Sequence, residues 1–383
     1  MLIFGSPALG SRRVSVAAPF FQAGLAGYSD YAMRAVARRH GCPLCVTEAM
    51  LDQFLINGGK GLDAARLHAG DHGAAAPIVG QLMGSHPKEI AAGAKILVGL
   101  GYDMVDVNLA CPVKKIKKKA RGGHLLSVPE EAVEILDSVM QAVGSLVPVT
   151  VKLRRAYDDT PEMARAFTVI FEKAMGLGLS GAVVHSRTVA QKYRGAGHRP
   201  FLRQLMDTYG AHAKSRHFVI GGSGDVWCAA DIFKMLDETG VDLVSVARGC
   251  IGNPWVFEQA RAFMRTGDPA ELAKVPGISQ QRAVLLEHFE LSAALHGEAV
   301  AGREMRKFGI RFSRLHPRGD EVKNAFIRVH TLADWRAALD LWYGADGPGA
   351  PYEKTLPLEA FGGQASEECA DECGEACGMA EAV

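Results

Sequence analysis

Residues 103–126 read DMVDVNLACPVKKIKKKARGGHLL and join an apolar run to a loop that carries a thiol and dense positive charge. The run from Met104 to Val107 predicts a strand that ends near Asn108. Cys111 and Pro112 follow, and six of the eight residues from 114 to 121 are lysine or arginine. Loops that follow parallel strands carry the chemistry of α/β folds. The stretch therefore offers a reactive group beside a clamp for a polyanion.

On both sides of this strand, short apolar runs alternate with amphipathic helical patterns as far as about residue 260. Strict alternation predicts a parallel sheet with right-handed crossovers. Eight repeats over roughly 240 residues predict an α/β fold closed into a (β/α)8 TIM barrel, with an open doubly wound sheet as the alternative. The predicted strands are Phe20 to Leu25, Leu44 to Thr47, Ile78 to Leu82, Met104 to Asn108, Val149 to Leu153, Gly181 to His185, Phe218 to Gly221 and Leu243 to Val246.

The pattern changes after the eighth run and divides the chain. We expect the barrel at 14–264 and a linker rich in Gly, Asp and Pro at 265–278. Residues 279–343 lack strand-like alternation and predict a small all-α helical domain. Residues 344–383 are poor in bulky apolar side chains, so a disordered tail is expected there.

Cys369, Cys373 and Cys377 recur at every fourth position of that tail and raise the question of a metal site. In a helix the outer two thiols would lie about 12 Å apart, because each residue rises by ~1.5 Å, and that is too far to share one ion. We therefore predict no metal site and assign no purpose to these thiols.

The chain has 383 residues and a formal net charge of +1, but its positive charge is concentrated at 114–121 and again at 303–328. Local fields decide where a nucleic acid binds, so the near-neutral total does not exclude one. Eight irregularly spaced cysteines show no secreted disulfide framework, which favours a cytoplasmic protein. Ser11-Arg12-Arg13 superficially resembles a twin-arginine signal, but Pro19 and Gln22 interrupt the apolar run behind it. No apolar run of about 18 residues predicts a membrane span.

Polar residues stand where the predicted strands end. A ring of them at one barrel mouth indicates a binding site, because buried polar groups need partners. Glycines at 221, 222, 224, 249 and 252 follow the last two strands, where barrels commonly bind phosphate through backbone N–H groups. Together with Arg248 they indicate a phosphorylated cofactor. The polar strand ends are Gln81, Asn108, Lys152, His185, Ser223 to Asp225, and Arg248 with Gly249.

Lys152 is the one charged residue in the apolar stretch VPVTVKL. Burying an ammonium is costly unless an anion faces it. The negatively charged pyrimidine edge of a reduced flavin would provide such an anion. A carboxylate in a buried ion pair would serve as well.

Several pieces of the chain, in order, resemble tRNA-dihydrouridine synthases, flavoenzymes that reduce a uridine in tRNA. The resemblance runs from about Ala23 to Trp342, and its most specific piece holds Cys111 and Pro112. The pieces are AGLAGYSDYAMR (23–34), Thr47-Glu48, Gly80-Gln81-Leu82, DVNLACPVKK (106–115), PVTVKLR (148–154), VVHSRT (183–188), GGSGDV (221–226) and ARGCIGNPWVF (247–257).

The resemblance implies a bound FMN, NADPH or NADH as its reductant, and tRNA as substrate. Cys111 takes the family's proton-donor role. The implied FMN contacts are Gly24, Leu25, Ala26, Gln81, Lys152, His185, Ser223, Gly224, Asp225, Ala247, Arg248 and Gly249. The implied RNA contacts are Asn108, Lys114, Lys115, Lys118, Lys119, Arg187, Arg306 and Lys307.

The chain departs from the family pattern at a few of these positions. The family usually has proline and methionine at Gly24 and Leu25, asparagine at Ser223 and glycine at Ala247. The run Arg121-Gly122-Gly123-His124 replaces a Gly-Ala-Gly type sequence. The departures concern individual contacts, several of which use backbone atoms.

In the implied reaction, hydride passes from FMN N5 to uracil C6 while Cys111 protonates C5 from the opposite face. The target base must leave its stack to reach the mouth. A proton donor must keep its proton, whereas nearby lysines lower the pKa of a thiol. We therefore expect the lysine side chains to point towards RNA and away from the sulfur.

Three other functions fit parts of the pattern. A barrel flavoenzyme of the dihydroorotate or ene-reductase type would act on a small molecule and would not need the basic loop. A related synthase could act on ribosomal RNA, and an inactive RNA-binding protein could keep the barrel without the flavin. We predict no obligate protein partner.

Overall fold

The computed structural model describes residues 1–5, 12–69, 77–113, 116 and 119–352. The three tail cysteines and the predicted RNA contacts Lys114, Lys115 and Lys118 lie outside the described residues.

Eight parallel strands close into a barrel, so the TIM-barrel prediction is confirmed and the open-sheet alternative is wrong. Each strand pairs with the next, and closure occurs where the last strand pairs with the first, Val244 standing opposite Phe20. The strands are β3 (Phe20–Gln22), β4 (Cys45–Val46), β6 (Ile78–Met83), β7 (Met104–Leu109), β8 (Val149–Arg154), β9 (Gly181–His185), β10 (Val219–Ser223) and β11 (Leu243–Val246).

Three further strands were not predicted. β1 (Leu2–Phe4) and β2 (Val14–Val16) form an antiparallel hairpin. Phe4 and Val14 pack with the inward-facing apolar residues near the amino-terminal ends of the barrel strands, so the hairpin covers that end. β5 (Met50–Leu51) pairs in parallel with the carboxyl end of β6.

Helices surround the barrel, and five of them lie where amphipathic patterns predict helices, namely Tyr31–Arg39, Pro87–Gly99, Pro129–Val143, Pro161–Gly176 and Ala229–Thr239. Asp30 caps the first, accepting a hydrogen bond from Met33 N at 2.9 Å, and Pro87, Pro129 and Pro161 each stand in a first turn, where a missing N–H costs nothing. The described α-helices around the barrel are Tyr31–Arg39, Asp52–Ile56, Lys60–Ala69, Pro87–Gly99, Pro129–Val143, Pro161–Gly176, Arg199–Ser215, Ala229–Thr239 and Trp255–Thr266.

The predicted helical region follows the barrel and packs against it. Phe308 meets Tyr28 edge-on at 5.7 Å between ring centroids, and Phe312 meets Trp255 at 5.9 Å. The helices are Ile278–His296, Glu298–Phe312, Gly319–Ile327 and Leu332–Tyr343. The exact domain limits at 264, 278 and 343 stay predictions. No described helix has the length and apolar character needed to span a membrane.

Candidate active site

A cavity opens at the carboxyl ends of the barrel strands. It brings together most of the predicted site residues, namely Gly24, Leu25, Ala26, Gln81, Asn108, Cys111, Lys152, His185, Ser223, Gly224, Asp225, Ala247 and Arg248. Their neighbourhood follows from the barrel, because parallel strands end at one face. Of the other predicted residues that the structure describes, Gly249, Lys119, Arg187, Arg306 and Lys307 do not line it. Among the described residues no group of three or more His, Cys, Asp or Glu side chains could hold a metal ion.

Cys111 sits on the loop after β7 and is held by its backbone. Its N–H donates to Asn108 Oδ1 at 3.2 Å, and its carbonyl accepts from Gly123 N at 3.0 Å. Gly122 has a φ of +59°, and a Cβ there would lie 3.0 Å from Cys111 Cβ, while a Cβ on Gly123 would lie 2.8 Å from Cys111 O. The two glycines therefore let the returning chain pack directly against the thiol-bearing residue.

A chain of polar side chains, which we call the polar chain, runs inside the barrel below this loop. It consists of Thr150, Asp106, Gln81 and Asn108. Asp106 is buried, and burial raises the pKa of its carboxyl, although hydrogen bonds from Thr150 and Gln81 act in the opposite direction. The polar chain links the interior of β8 to the loop of Cys111.

Lys152 projects into the cavity from β8, next to Asn108 of β7. Within the described ranges no salt bridge or hydrogen bond involves its ammonium. Burial, and then the charge of Arg154, lower its pKa to about 7, while Asp106 acts weakly against them. The ion-pair alternative for Lys152 is therefore not favoured, and an anionic ligand fits the position.

His185 ends β9 and faces the same space. Burial lowers the pKa of its imidazole well below the usual range, and Arg154 and Lys152 add to that effect. Nδ1 lies 3.3 Å from Ser223 Oγ, whereas the buried Nε2 has no hydrogen-bond partner. A neutral ring with one unsatisfied nitrogen is suited to hydrogen-bond a ligand.

The loops after β10 and β11 form a basic corner. Asp225 has a φ of +52° and is held by Arg187 Nη2 at 2.7 Å and by Gly197 N at 2.7 Å. Burial raises the pKa of Asp225, but the Arg187 hydrogen bond and the Gly197 N–H outweigh it and leave the pKa below the usual range. Arg248 Nη2 lies 3.9 Å from Asp225 Oδ1 and lines the cavity. The corner presents a guanidinium beside a glycine turn, as a phosphate site requires.

Arg187, predicted to contact RNA, lies inside the protein. Only 2% of its surface is exposed, and it also donates to Gly195 O at 2.5 Å. Its observed contacts support the loop of Asp225. Gly249 stands behind Arg248, where a Cβ would lie 2.4 Å from Val226 O, so it lets these two loops approach each other.

Arg121 also differs from its sequence-based interpretation. We counted it with the positive charges of the loop, but its side chain is 4% exposed and faces the fully buried carboxylate of Asp52, with 3.6 Å between Nη2 and Oδ1. It anchors the loop to the helix Asp52–Ile56. Lys119 is exposed, and the expected direction of the loop lysines stays a prediction.

Sequence reasoning missed several residues that line the cavity. Arg154 could have been found, because it lies two positions after Lys152 on the same face of β8. It donates to Ala110 O at 2.9 Å, so it braces the loop of Cys111. Tyr193 and Trp227 come from loops without a periodic pattern, and Arg248 stacks between them, 5.1 and 4.4 Å from the two ring centroids. Arg311 reaches the cavity from the helical region.

Lys307 and Arg306 lie on the helix Glu298–Phe312, and both are half-buried. Lys307 pairs with Glu304 and lies 5.5 Å from the ring centroid of Tyr28, which lines the cavity. The helical region thus brings positive charge to the edge of the mouth.

Comparison with known proteins gives a consistent result. The family model described as Dihydrouridine synthase (Dus) matches residues 21–341. The tRNA-dihydrouridine synthase B of Pseudomonas putida is 30% identical over 313 residues, which cover 82% of this chain and 87% of that protein. The tRNA-dihydrouridine synthase B of Pseudomonas aeruginosa is 31% identical over 305 residues, covering 80% and 86%.

Solved structures are similar in fold. Histamine dehydrogenase from Rhizobium sp. 4-9 superposes with a TM-score of 0.51 at 12% identity, covering 76% of this chain and 51% of that one. A 2-naphthoyl-CoA reductase gives a TM-score of 0.51 at 12% identity, covering 69% and 52%. The chain spans about half the length of these two structures, and at this identity they show the barrel fold alone.

Proposed function

The chain belongs to the dihydrouridine synthase family, and from that premise we propose that it reduces the C5–C6 double bond of a uridine in tRNA to dihydrouridine, with FMN as cofactor and NADPH or NADH as reductant. One observation carries the proposal: Cys111 and Lys152 come from adjacent strands and line one cavity. A proton donor and a cation for a reduced flavin are thus available to the same bound base.

The residues present fit the flavin. Lys152 offers a cation without a salt bridge among the described residues, His185 Nε2 is an unsatisfied buried nitrogen, and Arg248 stands at the glycine turn. Lys152 would face the pyrimidine edge, while Ser223, Gly224, Asp225 and Arg248, with Ala247 and Gly249, would hold the phosphate. Gly24 is required by the close approach of the loop after β3, since a Cβ there would lie 2.3 Å from Thr47 O. Backbone groups of Gly24, Leu25 and Ala26 and the side chain of Gln81 would contact the ring.

The flavin, when bound and reduced, supplies hydride to uracil C6. Cys111 then donates its thiol proton to C5 from the opposite face of the base. Lys152 would stabilise negative charge on a reduced ring, and Asn108 would help to place the base. Arg187 supports the phosphate corner through Asp225.

RNA would lie across the mouth between the loop after β7 and the helical region. We propose that Lys114, Lys115, Lys118 and Lys119 contact phosphates on one side, and Arg306 and Lys307 on the other. Such contacts favour a tRNA substrate over a free small molecule. A cytoplasmic location accords with this substrate.

The first test is mass-spectrometric analysis of tRNA nucleosides from cells that lack the protein. We expect dihydrouridine to disappear at defined positions and to return with the wild-type gene or with Cys228→Ala, a half-buried thiol outside the cavity. Cys111→Ala should fail to restore it, although the purified variant still binds flavin and oxidises NADPH.

Unchanged dihydrouridine in the deletion strain would contradict the proposed substrate and would point to ribosomal RNA or a small molecule. Full product formation by Cys111→Ala would leave the reaction intact and remove the thiol from it.

A further inference from the structure

The polar chain has a definite direction of hydrogen bonding. Thr150 Oγ1 donates to Asp106 Oδ1 at 2.7 Å, and Gln81 Nε2 donates to Asp106 Oδ2 at 2.9 Å. Asn108 Nδ2 donates to Gln81 Oε1 at 2.8 Å. Asn108 Oδ1 in turn accepts from the N–H groups of Ala110 at 3.0 Å and of Cys111 at 3.2 Å.

This direction is fixed from both ends. At the Asp106 end, the carboxyl accepts from the Thr150 hydroxyl with one oxygen and from Gln81 Nε2 with the other, so the oxygen of the Gln81 amide is turned towards Asn108. At the other end two backbone N–H groups can only donate, so Asn108 must turn its oxygen towards them and its nitrogen towards Gln81. Both requirements give the same direction for the Gln81–Asn108 hydrogen bond, in which Asn108 donates and Gln81 accepts.

Rotating the Gln81 amide by half a turn would break the polar chain at two points. Its oxygen would then face the Asp106 carboxylate, and its nitrogen would face the nitrogen of Asn108. Both contacts are repulsive, and Asp106 and Gln81 are each 5% exposed, so water gives little compensation. One arrangement of the amides is therefore strongly preferred.

We propose that Asp106 and Thr150 are positioning residues for the reaction. They hold the Gln81 amide in one orientation and, through Asn108, fix the backbone of Cys111 at the strand end. Neither residue needs to touch the base or to transfer a proton. The inference rests on the proposed function, in which Cys111 delivers the proton.

A double-mutant cycle tests the proposal. Asp106→Asn keeps the shape and can point its oxygen at Gln81 while its nitrogen donates to the Thr150 hydroxyl, so the direction survives. Thr150→Val keeps the volume and leaves Asp106 accepting from Gln81. We expect each single variant to stay within about threefold of wild type, because each preserves the Gln81 orientation.

The combined variant D106N/T150V removes that restraint. The amide nitrogen at position 106 then has no acceptor on β8. If that nitrogen turns towards Gln81 instead, the Gln81 and Asn108 amides must rearrange. We expect the reoxidation of reduced flavin by tRNA, measured in a single turnover, to fall at least about tenfold beyond the product of the two single effects. D106N/T150S restores the hydroxyl and should recover the rate.

Two further measurements separate positioning from general damage. The rate of flavin reduction by NADPH is measured in every variant that binds flavin as the reference for changes at the ring itself, since Gln81 also lines the flavin site, and each reoxidation rate is divided by it before the cycle is evaluated. The alkylation rate of Cys111, mapped by peptide mass spectrometry with Cys228 as internal reference, should change in D106N/T150V and return in D106N/T150S. If D106N/T150V does not fold, Asp106→Ala removes the acceptor without burying a new donor and should change the same alkylation rate.

Additive effects on reoxidation, or Cys111 alkylation equal to wild type in the variant that breaks the polar chain, would overturn the proposal. The proposed function fails independently of it. If Cys111→Ala makes full product, the thiol is not the proton donor, yet the alkylation rates still show whether the polar chain positions its loop.

Discussion

At the scale of single residues, Lys152 shows how the fold prepares a site for an anion. Its side chain is half-buried on β8, and among the described residues it forms no salt bridge that would offset the desolvation. The Lys152 pKa of about 7 reflects this desolvation without a compensating salt bridge. A negative charge placed against it would restore the proton, so anion binding and protonation of Lys152 are coupled.

The coupling has a definite sign. Below pH 7 the lysine is already charged, whereas above pH 7 it must take up a proton when an anion binds. The affinity for anionic reduced flavin should therefore fall as pH rises above 7, by up to about tenfold per pH unit.

Lys152→Met should bind reduced flavin more weakly at pH 7 and lose this dependence. Lys152→Arg should lose the dependence but keep the affinity, because arginine stays charged. Potentiometric titration of bound flavin from pH 6 to 9 provides the measurement, and a Lys152→Met profile parallel to wild type would contradict it.

At the scale of elements, strands were predictable where an apolar run filled a whole strand. β7, β8 and β9 were predicted to within one residue, because their alternating faces are buried by the interior and by the helices. The first predicted strand was too long. Ala23 N still donates to Val246 O of β11, but Gly24 and Leu25 leave the ladder. They form a turn in which Leu25 N donates to Ser29 Oγ at 2.7 Å, a local bond that apolar character does not reveal.

The same reasoning separates the site residues that could be predicted from the sequence from those that could not. Residues at strand ends could be predicted, because closing the barrel brings all eight ends to one mouth. Tyr193 and Trp227 lie on loops whose course depends on tertiary contacts, such as the Arg187–Asp225 pair. Arg121 was misinterpreted because a basic residue in a basic run gives no sign of a buried partner 69 positions earlier in the chain.

Glu48 allows a test at the element scale. It follows β4, and its Oε2 accepts from Gly27 N at 3.0 Å, joining two loops of the mouth. Burial raises its pKa to about 7 from a reference of 4.5, so the folded state binds the proton more tightly than the unfolded chain. Stability should therefore fall as pH rises from 4.5 to 7 and then level off. Glu48→Gln keeps the acceptor without the charge, and above pH 7 it should be more stable than wild type by about 1 to 3 kcal/mol.

Thermal unfolding of both proteins between pH 5 and 8 gives the comparison. Glu134→Gln, on the exposed face of the helix Pro129–Val143, is the matched control for the loss of one carboxylate. A Glu48→Gln difference that does not change with pH would show that the carboxyl does not titrate in this window.

At the scale of the whole molecule, the chain combines a net charge of +1 with two clusters of basic residues in its sequence, at 114–121 and 303–328. The helix Glu298–Phe312 brings Lys307 to within 5.5 Å of the ring centroid of Tyr28 at the mouth, and we propose that the lysines that follow Cys111 in the sequence bind on the opposite side. A polyanion across the mouth would thus be held from two sides, while the rest of the surface balances the charge. Such a distribution of charge would direct RNA to one face rather than to the protein as a whole.

The salt dependence of tRNA binding measures that arrangement. Each lysine that neutralises a phosphate releases counterions, which contributes ~0.7 to 0.9 to the slope of log K against log salt concentration. Lys114→Gln combined with Lys115→Gln should therefore flatten the slope by about 1.4 to 1.8. The control pair, Lys95→Gln and Lys173→Gln, lies exposed on helices around the barrel and should leave the slope unchanged. Filter-binding titrations between about 50 and 200 mM salt cover the range in which the effect is large. Equal slopes for the two double variants would mean that the lysines after Cys111 form a solvated face, and that tRNA is held mainly by the helical region.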